Sequence, residues 1–431
     1  MLDALARASA FSFLLLAAAL PWSVAPISIA LVLCAALTLL LWQFPGGAAV
    51  RWERTPVDLP ALGWILALSI ASLFALDLGS SWPRVVKGFL LLLVPVAAYH
   101  ARDEKTARLA IAVLFVSAGL AAIFALGRFV AQGPEFPNRV KGAVGHPLTY
   151  GGQALLIASL ATAIAIRSRG AWRVGALLLL GVTLPALAGS YTRSAWIGYI
   201  AALAVIVAFT RARWLAGLAG GLAALALVLP GAYRERAFSI FDPQSPWNRE
   251  RLHMWEAGAR MVRDHLWTGV GLQDLHSVYE TYKPPGALEP AGHLHSVYVQ
   301  VAATMGVIGI LALLFLIAGL LRAASRAFRN ARRSGFLVEP FGPAVSLGVS
   351  AALVGFLVSG LMEWNLGDEE LLDLLCVLVG IAFAASAWRG ASRSAGVAGD
   401  LALVETHVDQ SLGAIAKRCL NQPTSPASPA R

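Results

Sequence analysis

Two histidines one residue apart, His293-Leu294-His295, stand where the longest polar stretch of the chain gives way to an apolar run. Histidine titrates near neutrality and can take a proton from a hydroxyl, so either is a candidate general base. A His-x-His pair is also half of a metal site, but no acidic pair of the Asp-x-Asp kind accompanies it on the same side. No metal is expected. The remaining candidates are cations. Arg193 lies in Gly189-Ser190-Tyr191-Thr192-Arg193-Ser194-Ala195-Trp196, a short turn between apolar runs. It is either a snorkelling anchor or a ligand for an anion at the membrane surface, and the neighbouring Ser and Gly favour the ligand. Arg139 and Lys141, in the glycine-bearing loop Pro137 to Pro147, are either solvated or further anion contacts.

Arg249 and Arg251 open a segment, Asn248 to Trp267, whose apolar residues Leu252, Trp255, Ala259, Val262 and Leu266 recur at helical spacing. Arg249, His253, Glu256, Arg260 and Arg263 fall on another face, with Arg251 at its flank. Such a helix lies along a membrane–water interface, and binding lipid headgroups without chemistry is its simplest role.

The elements that must hold these residues are membrane spans. The chain is 58% hydrophobic and 13% charged, with a mean hydropathy of +0.69. That composition belongs to polytopic membrane proteins, whose spans are helical because backbone in hydrocarbon must satisfy its own hydrogen bonds. Apolar runs of spanning length at 8–22, 25–43, 59–76, 84–100, 107–130, 147–166, 172–189, 194–210, 214–232, 294–321, 341–362 and 369–389 predict about twelve transmembrane helices. The first run resembles a signal peptide ending at Ser23-Val24-Ala25, but Pro26 and an immediate second apolar run argue for a retained span.

With the N-terminus inside, short inner connections carry 18 Lys and Arg against 6 in short outer ones. The positive-inside rule then places residues 233–293 outside, in a Gram-negative bacterium the periplasm. The expected organisation is helices 1–9 over 1–232, a periplasmic loop over 233–293, helices 10–12 over 294–390, and a cytoplasmic, disorder-type tail over 391–431. The net charge of +10 is read as topological, with no nucleic-acid partner expected. Cys34, Cys376 and Cys419 form neither a disulfide framework nor a zinc spacing. There is no GxGxxG or P-loop, so no nucleotide cofactor is expected and any substrate arrives already activated.

Arg251-x-x-x-Trp255, Asp264-His265-Leu266-Trp267-Thr268-Gly269-Val270-Gly271, Leu294-His295-Ser296-Val297-Tyr298-Val299-Gln300 and Met305-Gly306-Val307-Ile308-Gly309 resemble the signature region of the O-antigen ligase and polymerase superfamily. Thr192-Arg193-Ser194 resembles that family's earlier arginine-bearing turn. Ser296 and Leu294 depart from the family's asparagine after, and alanine before, the histidine. His295 is the matching residue, and His293 remains a local competitor.

The resemblance implies an all-α, GT-C-like glycosyltransferase without cofactor, working at the outer face of the inner membrane. It would move a polysaccharide from undecaprenyl pyrophosphate to lipid A–core oligosaccharide in lipopolysaccharide biosynthesis. His295 would be the base, with Arg193 and Arg251 on the pyrophosphate. Arg139, Lys141, Arg249 and His293 would be secondary substrate contacts. Membrane lipids are the remaining partner. An O-antigen polymerase, with a second lipid-linked glycan as acceptor, is the nearest alternative. A transporter of a lipid-linked sugar or anion is the non-catalytic one, and it predicts charges buried mid-span.

Overall fold

A chain this apolar has to satisfy its backbone internally, and it does so with helices alone. The computed structural model describes residues 2–43, 54–134, 136–228, 230–333 and 341–388, and contains no strand among them. Arg51 and the tail, with Arg389, Arg393, Lys417, Arg418, Cys419 and Arg431, lie outside the described residues. The chain divides into a unit Met1–Ser386, which carries everything below, and a unit Ala387–Arg431.

Nine of the described helices are long and apolar enough to cross a membrane, making this an all-α polytopic membrane protein. The expected runs differ in three places. Asp58–Leu73 and Glu369–Ala384 have 16 residues each, so at about 1.5 Å per residue each falls short of a ~30 Å hydrocarbon core. The runs 194–210 and 214–232 merge into one apolar stretch, Arg193–Ala224. Its backbone nevertheless turns at Ala212–Trp214, between helices Arg193–Arg211 and Leu215–Val228. Arg193, at the start of the first, donates to the carbonyl of Ser239, beyond the end of the second, at 3.0 Å. A single rod would hold those residues at opposite ends; the two helices are therefore a hairpin.

Of the nine membrane-length helices, Pro147–Arg167 is the most enclosed, packed by Gly170–Gly189, Arg193–Arg211 and Phe341–Ser359. Small residues allow this closeness. A Cβ on Gly198 would lie 2.5 Å from the carbonyl oxygen of Gly355, the kind of backbone approach that holds helices together in lipid.

One end of the bundle collects the connecting segments. Leu76 N–H donates to the Val270 carbonyl at 3.0 Å, Val140 N–H to Gly189 at 2.8 Å, and Val297 N–H to Gly360 at 2.8 Å. Segment 233–293 folds over this end as helices Pro246–Asp264 and Leu275–Tyr282 joined by turns. The expected amphipathic helix is the first of these, but its packed face follows the expected stripe only in part, at Trp255 and Val262. Leu252 and Leu266 stay exposed, while Met254, Ala257, Gly258 and Met261 are buried. The reason is clearance: a Cβ on Gly258 would come within 2.6 Å of the Val299 side chain, so only a small face fits against the helix Val297–Arg333.

That helix starts at Val297 rather than 294 and runs on to Arg333, broken at Gly306, whose φ of 61° and ψ of −154° only glycine adopts readily. The backbone donors freed by the break find partners in the preceding loop. Val307 N–H donates to the Leu266 carbonyl at 2.9 Å and Ile308 N–H to Trp267 at 3.3 Å. Val270 N–H and Gly271 N–H donate to the carbonyls of Ala303 and Thr304 at 2.9 and 3.0 Å. A Cβ on Gly269 would sit 2.3 Å from the Thr304 carbonyl carbon, so these glycines exist to let two backbones touch.

Candidate active site

His295 is held from several directions. It sits just before the broken helix with φ of 45°, a left-handed conformation that a non-glycine residue keeps only when its surroundings enforce it. Those surroundings are specific. The Trp255 indole N–H donates to the Leu294 carbonyl at 3.0 Å, and Leu294 N–H donates to the Gln300 side-chain oxygen at 2.8 Å. His295 N–H donates to His293 Nδ1 at 3.4 Å. Next along the chain, Tyr298 OH reaches the Leu357 carbonyl at 3.0 Å.

The same geometry pairs His295 with a carboxylate that the sequence reading did not select. His295 Nδ1 lies 3.0 Å from Oε1 of Glu363, in the connection between the last two described helices. Glu363 is 4% exposed, and its other oxygen accepts from Arg251 Nη2 at 3.4 Å. Burial alone would raise this carboxyl, but contact with His295 and the Arg251 guanidinium outweigh it and hold it ionised, at about 2. An ionised acceptor fixes the proton on Nδ1 and leaves Nε2 of a neutral His295 with its lone pair, the form a general base needs. Arg251 and Trp255, one helical turn apart, share a face. One turn of helix Pro246–Asp264 thus holds both the carboxylate and the backbone behind the histidine.

His293 packs edge-on against His295 with ring centroids 4.2 Å apart. Burial, then repulsion from His295, pushes its pKa down to about 4, so at neutral pH it is an uncharged neighbour. One ligand atom each from His293, His295 and Glu363 lie within 4.8 Å of one another, a set that could hold a metal ion. The carboxylate is a single residue from a distant connection rather than an Asp-x-Asp pair. Its engagement by Arg251 opposes a metal, since a cation there would face a guanidinium already on its ligand.

Around this dyad gather arginines. Arg139 donates through Nε to the Ser190 carbonyl at 2.7 Å and through Nη2 to Thr192 Oγ1 at 3.0 Å. Arg193, 4% exposed, spends its fork on Ser239 at 3.0 Å and on the Asn248 side-chain oxygen at 2.8 Å. Arg236, which the sequence reading passed over, donates to the Tyr191 carbonyl at 3.3 Å and lies over the rings of Phe136 and Trp247. Burial is the first cause lowering Arg139 and Arg236 to about 10, and each is lowered further by Arg251. Among the described residues, four guanidiniums, those of Arg139, Arg193, Arg236 and Arg251, therefore share one region with the carboxylate of Glu363. Such an excess of buried positive charge suits a multiply charged anion.

Two expected contacts stay apart. Lys141 is exposed, and exposed Arg249 makes no side-chain hydrogen bond or ion pair among the described residues. On the far side of Glu363, the Asp368 carboxylate accepts from Thr149 Oγ1 at 3.1 Å. Burial, then the charges of Glu363 and Glu370, pushes Asp368 up to about 7 despite that hydrogen bond.

No curated protein matches the chain. Residues 176–314 match a family model described as O-antigen ligase. That stretch holds Arg193, Arg236, Arg251, His293 and His295, together with the glycines of the broken helix, while Arg139 and Glu363 fall outside it. Over that stretch, about a third of the chain, the protein is similar to O-antigen ligases.

Proposed function

We propose that the protein is an O-antigen ligase, transferring a polysaccharide from undecaprenyl pyrophosphate to a hydroxyl of lipid A–core oligosaccharide. The observation that carries this reading is the Glu363–His295 dyad beside a cluster of arginines. Nε2 of His295 accepts the acceptor hydroxyl proton as its oxygen bonds the anomeric carbon. The bond from that carbon to phosphate breaks, and undecaprenyl pyrophosphate leaves with the electron pair. A single displacement inverts the anomeric centre. Base catalysis of this kind contributes about 10²–10⁴ in rate, and fixed cations stabilise the departing charge without a metal.

The roles within the cluster follow hydrogen-bonding capacity. Arg251, Arg139 and Arg236 retain N–H groups for phosphate oxygens, whereas both Nη groups of Arg193 are engaged. Arg193 then contributes charge and holds the segment around Ser239 and Asn248 in place. His293 is a neighbouring substrate contact in this reading, while Lys141 and Arg249 lie outside the cluster and would touch at most the core phosphates of the acceptor. The site faces the periplasm in a bundle of about twelve crossings with a GT-C-like arrangement. In this reading the hairpin at Ala212–Trp214 adds one crossing beyond nine, and the two 16-residue helices add two short ones accommodated by local thinning of the bilayer. Segment 233–293 is the outer subdomain, between membrane parts 1–232 and 294–390.

The test is ligation by purified protein with lipid A–core and undecaprenyl-pyrophosphate glycan, in chelator and without nucleotide. Product in wild type and none in His295→Ala is expected. Glycan growth on the undecaprenyl carrier instead would make the protein a polymerase, and unaltered transfer by His295→Ala would remove the base assignment.

A further inference from the structure

A cavity of about 330 Å³ has His293 in its wall, and none of the four clustered arginines lines it. Its polar walls come from Arg84 and Lys87 on the 3₁₀ helix Trp82–Leu92, from Asp274 and His276, and from His293 itself. Arg84 and Lys87 are three residues apart, and 3₁₀ geometry stacks such side chains on one face. Both are anchored, Arg84 to the Leu272 carbonyl at 2.9 Å and Lys87 to Glu369 at 2.9 Å. Asp274 holds His276 Nδ1 at 2.8 Å. Gln273, Gln300 and Thr304 add uncharged polar groups, and the apolar walls include Leu68, Leu316 and Leu372. Leu316 lies well down the helix that begins at Val297, so the cavity reaches from the connecting segments into the membrane-spanning bundle. A space with fixed cations, a carboxylate and an imidazole at one end and leucines at the other fits an amphiphile.

We infer that this cavity is the acceptor site, taking a lipid-anchored saccharide whose headgroup carries phosphate or carboxylate. The inference rests on the reading of the protein as a glycan transferase. In-line displacement requires the attacking oxygen and the leaving phosphate on opposite sides of the anomeric carbon. The arginine cluster supplies the phosphate side. The cavity supplies the other: His293 forms its wall at 4.2 Å from the His295 ring, and Trp364, the residue after Glu363, lines it too. Arg84 and Lys87 recognise the headgroup anion, Asp274 and His276 the sugar hydroxyls, and the leucines the first part of the lipid chain. Phosphorylated lipid A–core and a second undecaprenyl-pyrophosphate glycan share this chemistry.

The experiment measures binding, without turnover, to full-length protein in nanodiscs. Fluorescent lipid A–core and undecaprenyl-pyrophosphate glycan are titrated separately onto wild type, Lys87→Glu, Leu272→Trp and Arg236→Ala. At least tenfold weaker lipid A–core binding in Lys87→Glu and Leu272→Trp is expected, with glycan-carrier binding within twofold. Arg236→Ala should do the reverse. If the cavity variants instead lose only one of two carrier-binding events and lipid A–core never competes, the occupant is the second lipid-linked glycan. Unchanged binding of both ligands in both cavity variants, or loss of all carrier binding in them, overturns the assignment. A wild type that binds both ligands but transfers nothing refutes the proposed reaction and leaves the binding result standing.

Discussion

Nδ1 of His295 and Oε1 of Glu363 stand 3.0 Å apart, joined across 68 positions of the chain. The pair sets the orientation and the tautomer of the proposed base, and Glu363→Gln tests it. A glutamine side chain can turn its amide nitrogen to the ring and stabilise the wrong tautomer. The expected outcome is a loss of about 10²-fold or more in kcat with little change in donor affinity. Steady-state transfer assays on a variant with wild-type thermal stability check it.

Trp255 acts on His295 only through backbone. Trp255→Phe removes the indole donor from the buried Leu294 carbonyl while keeping an aromatic ring. An unsatisfied carbonyl costs roughly 1–3 kcal/mol, so a lowered Tm is expected together with reduced kcat. A variant with normal Tm and normal turnover would show that the loop holds its shape without this bond.

Arg236 and Arg249 belong to one polar segment but have different surroundings. Charge-assisted hydrogen bonds to a desolvated anion contribute about 1.5–3 kcal/mol. Arg236→Ala should therefore weaken carrier binding roughly tenfold to a hundredfold, whereas Arg249→Ala should leave it near wild type. Titration with undecaprenyl pyrophosphate distinguishes the two.

Stability should depend on pH through Asp368. Its pKa rises on folding from 3.8 to about 7, so the stability it contributes is complete below the lower value and is lost as pH climbs to the upper one. His293, lowered from 6.5 to about 4, works in the opposite direction: its contribution is present above 6.5 and lost as pH falls through 4. Asp368→Asn keeps an acceptor for Thr149 and removes the first effect alone. Thermal unfolding should show the variant gaining stability relative to wild type between pH 4 and 7, with the difference constant above that window.

Gly306→Ala should be among the most damaging single changes. Its backbone lies where alanine is strained, and the new Cβ would come within 2.4 Å of the Trp267 carbonyl carbon. A cost of at least about 1–3 kcal/mol follows from the backbone alone, before the clash is relieved. Monodispersity in detergent and Tm check it.

Much of this was legible in the sequence, for reasons that differ by residue. Hydropathy located the spans because lipid imposes length and polarity directly. Arg193 and His295 stood out because polar residues at the ends of apolar runs are costly unless used, and Arg251 through its place on the amphipathic helix and in the Arg-x-x-x-Trp pattern. Glu363 did not stand out: an acid in a connection that also holds Asp368 and leads to Glu369 and Glu370 looks like ordinary loop charge until tertiary contact brings it to His295. Arg236 was hidden similarly among Arg234 and Glu235. The packed face of helix Pro246–Asp264 was partly misjudged because periodicity weighs hydrophobicity, while the contact with the Val297 helix is governed by the small volume of Ala257 and Gly258. Of the transporter's mid-span charges, Asp373 is buried near the start of Glu369–Ala384, not at its middle.

The place of Glu363 in the chain also sets the order of biogenesis. Helices enter the membrane from the N-terminus onward as the ribosome works, and the dyad's carboxylate lies in the connection before helix Glu369–Ala384. Arg193, Arg251 and His295 are all synthesised first, with no carboxylate to orient the imidazole or offset the guanidiniums. On the proposed mechanism, catalytic competence is deferred to the last two described helices, Phe341–Ser359 and Glu369–Ala384, and a nascent chain that has not reached them would carry the arginines without the means to use them.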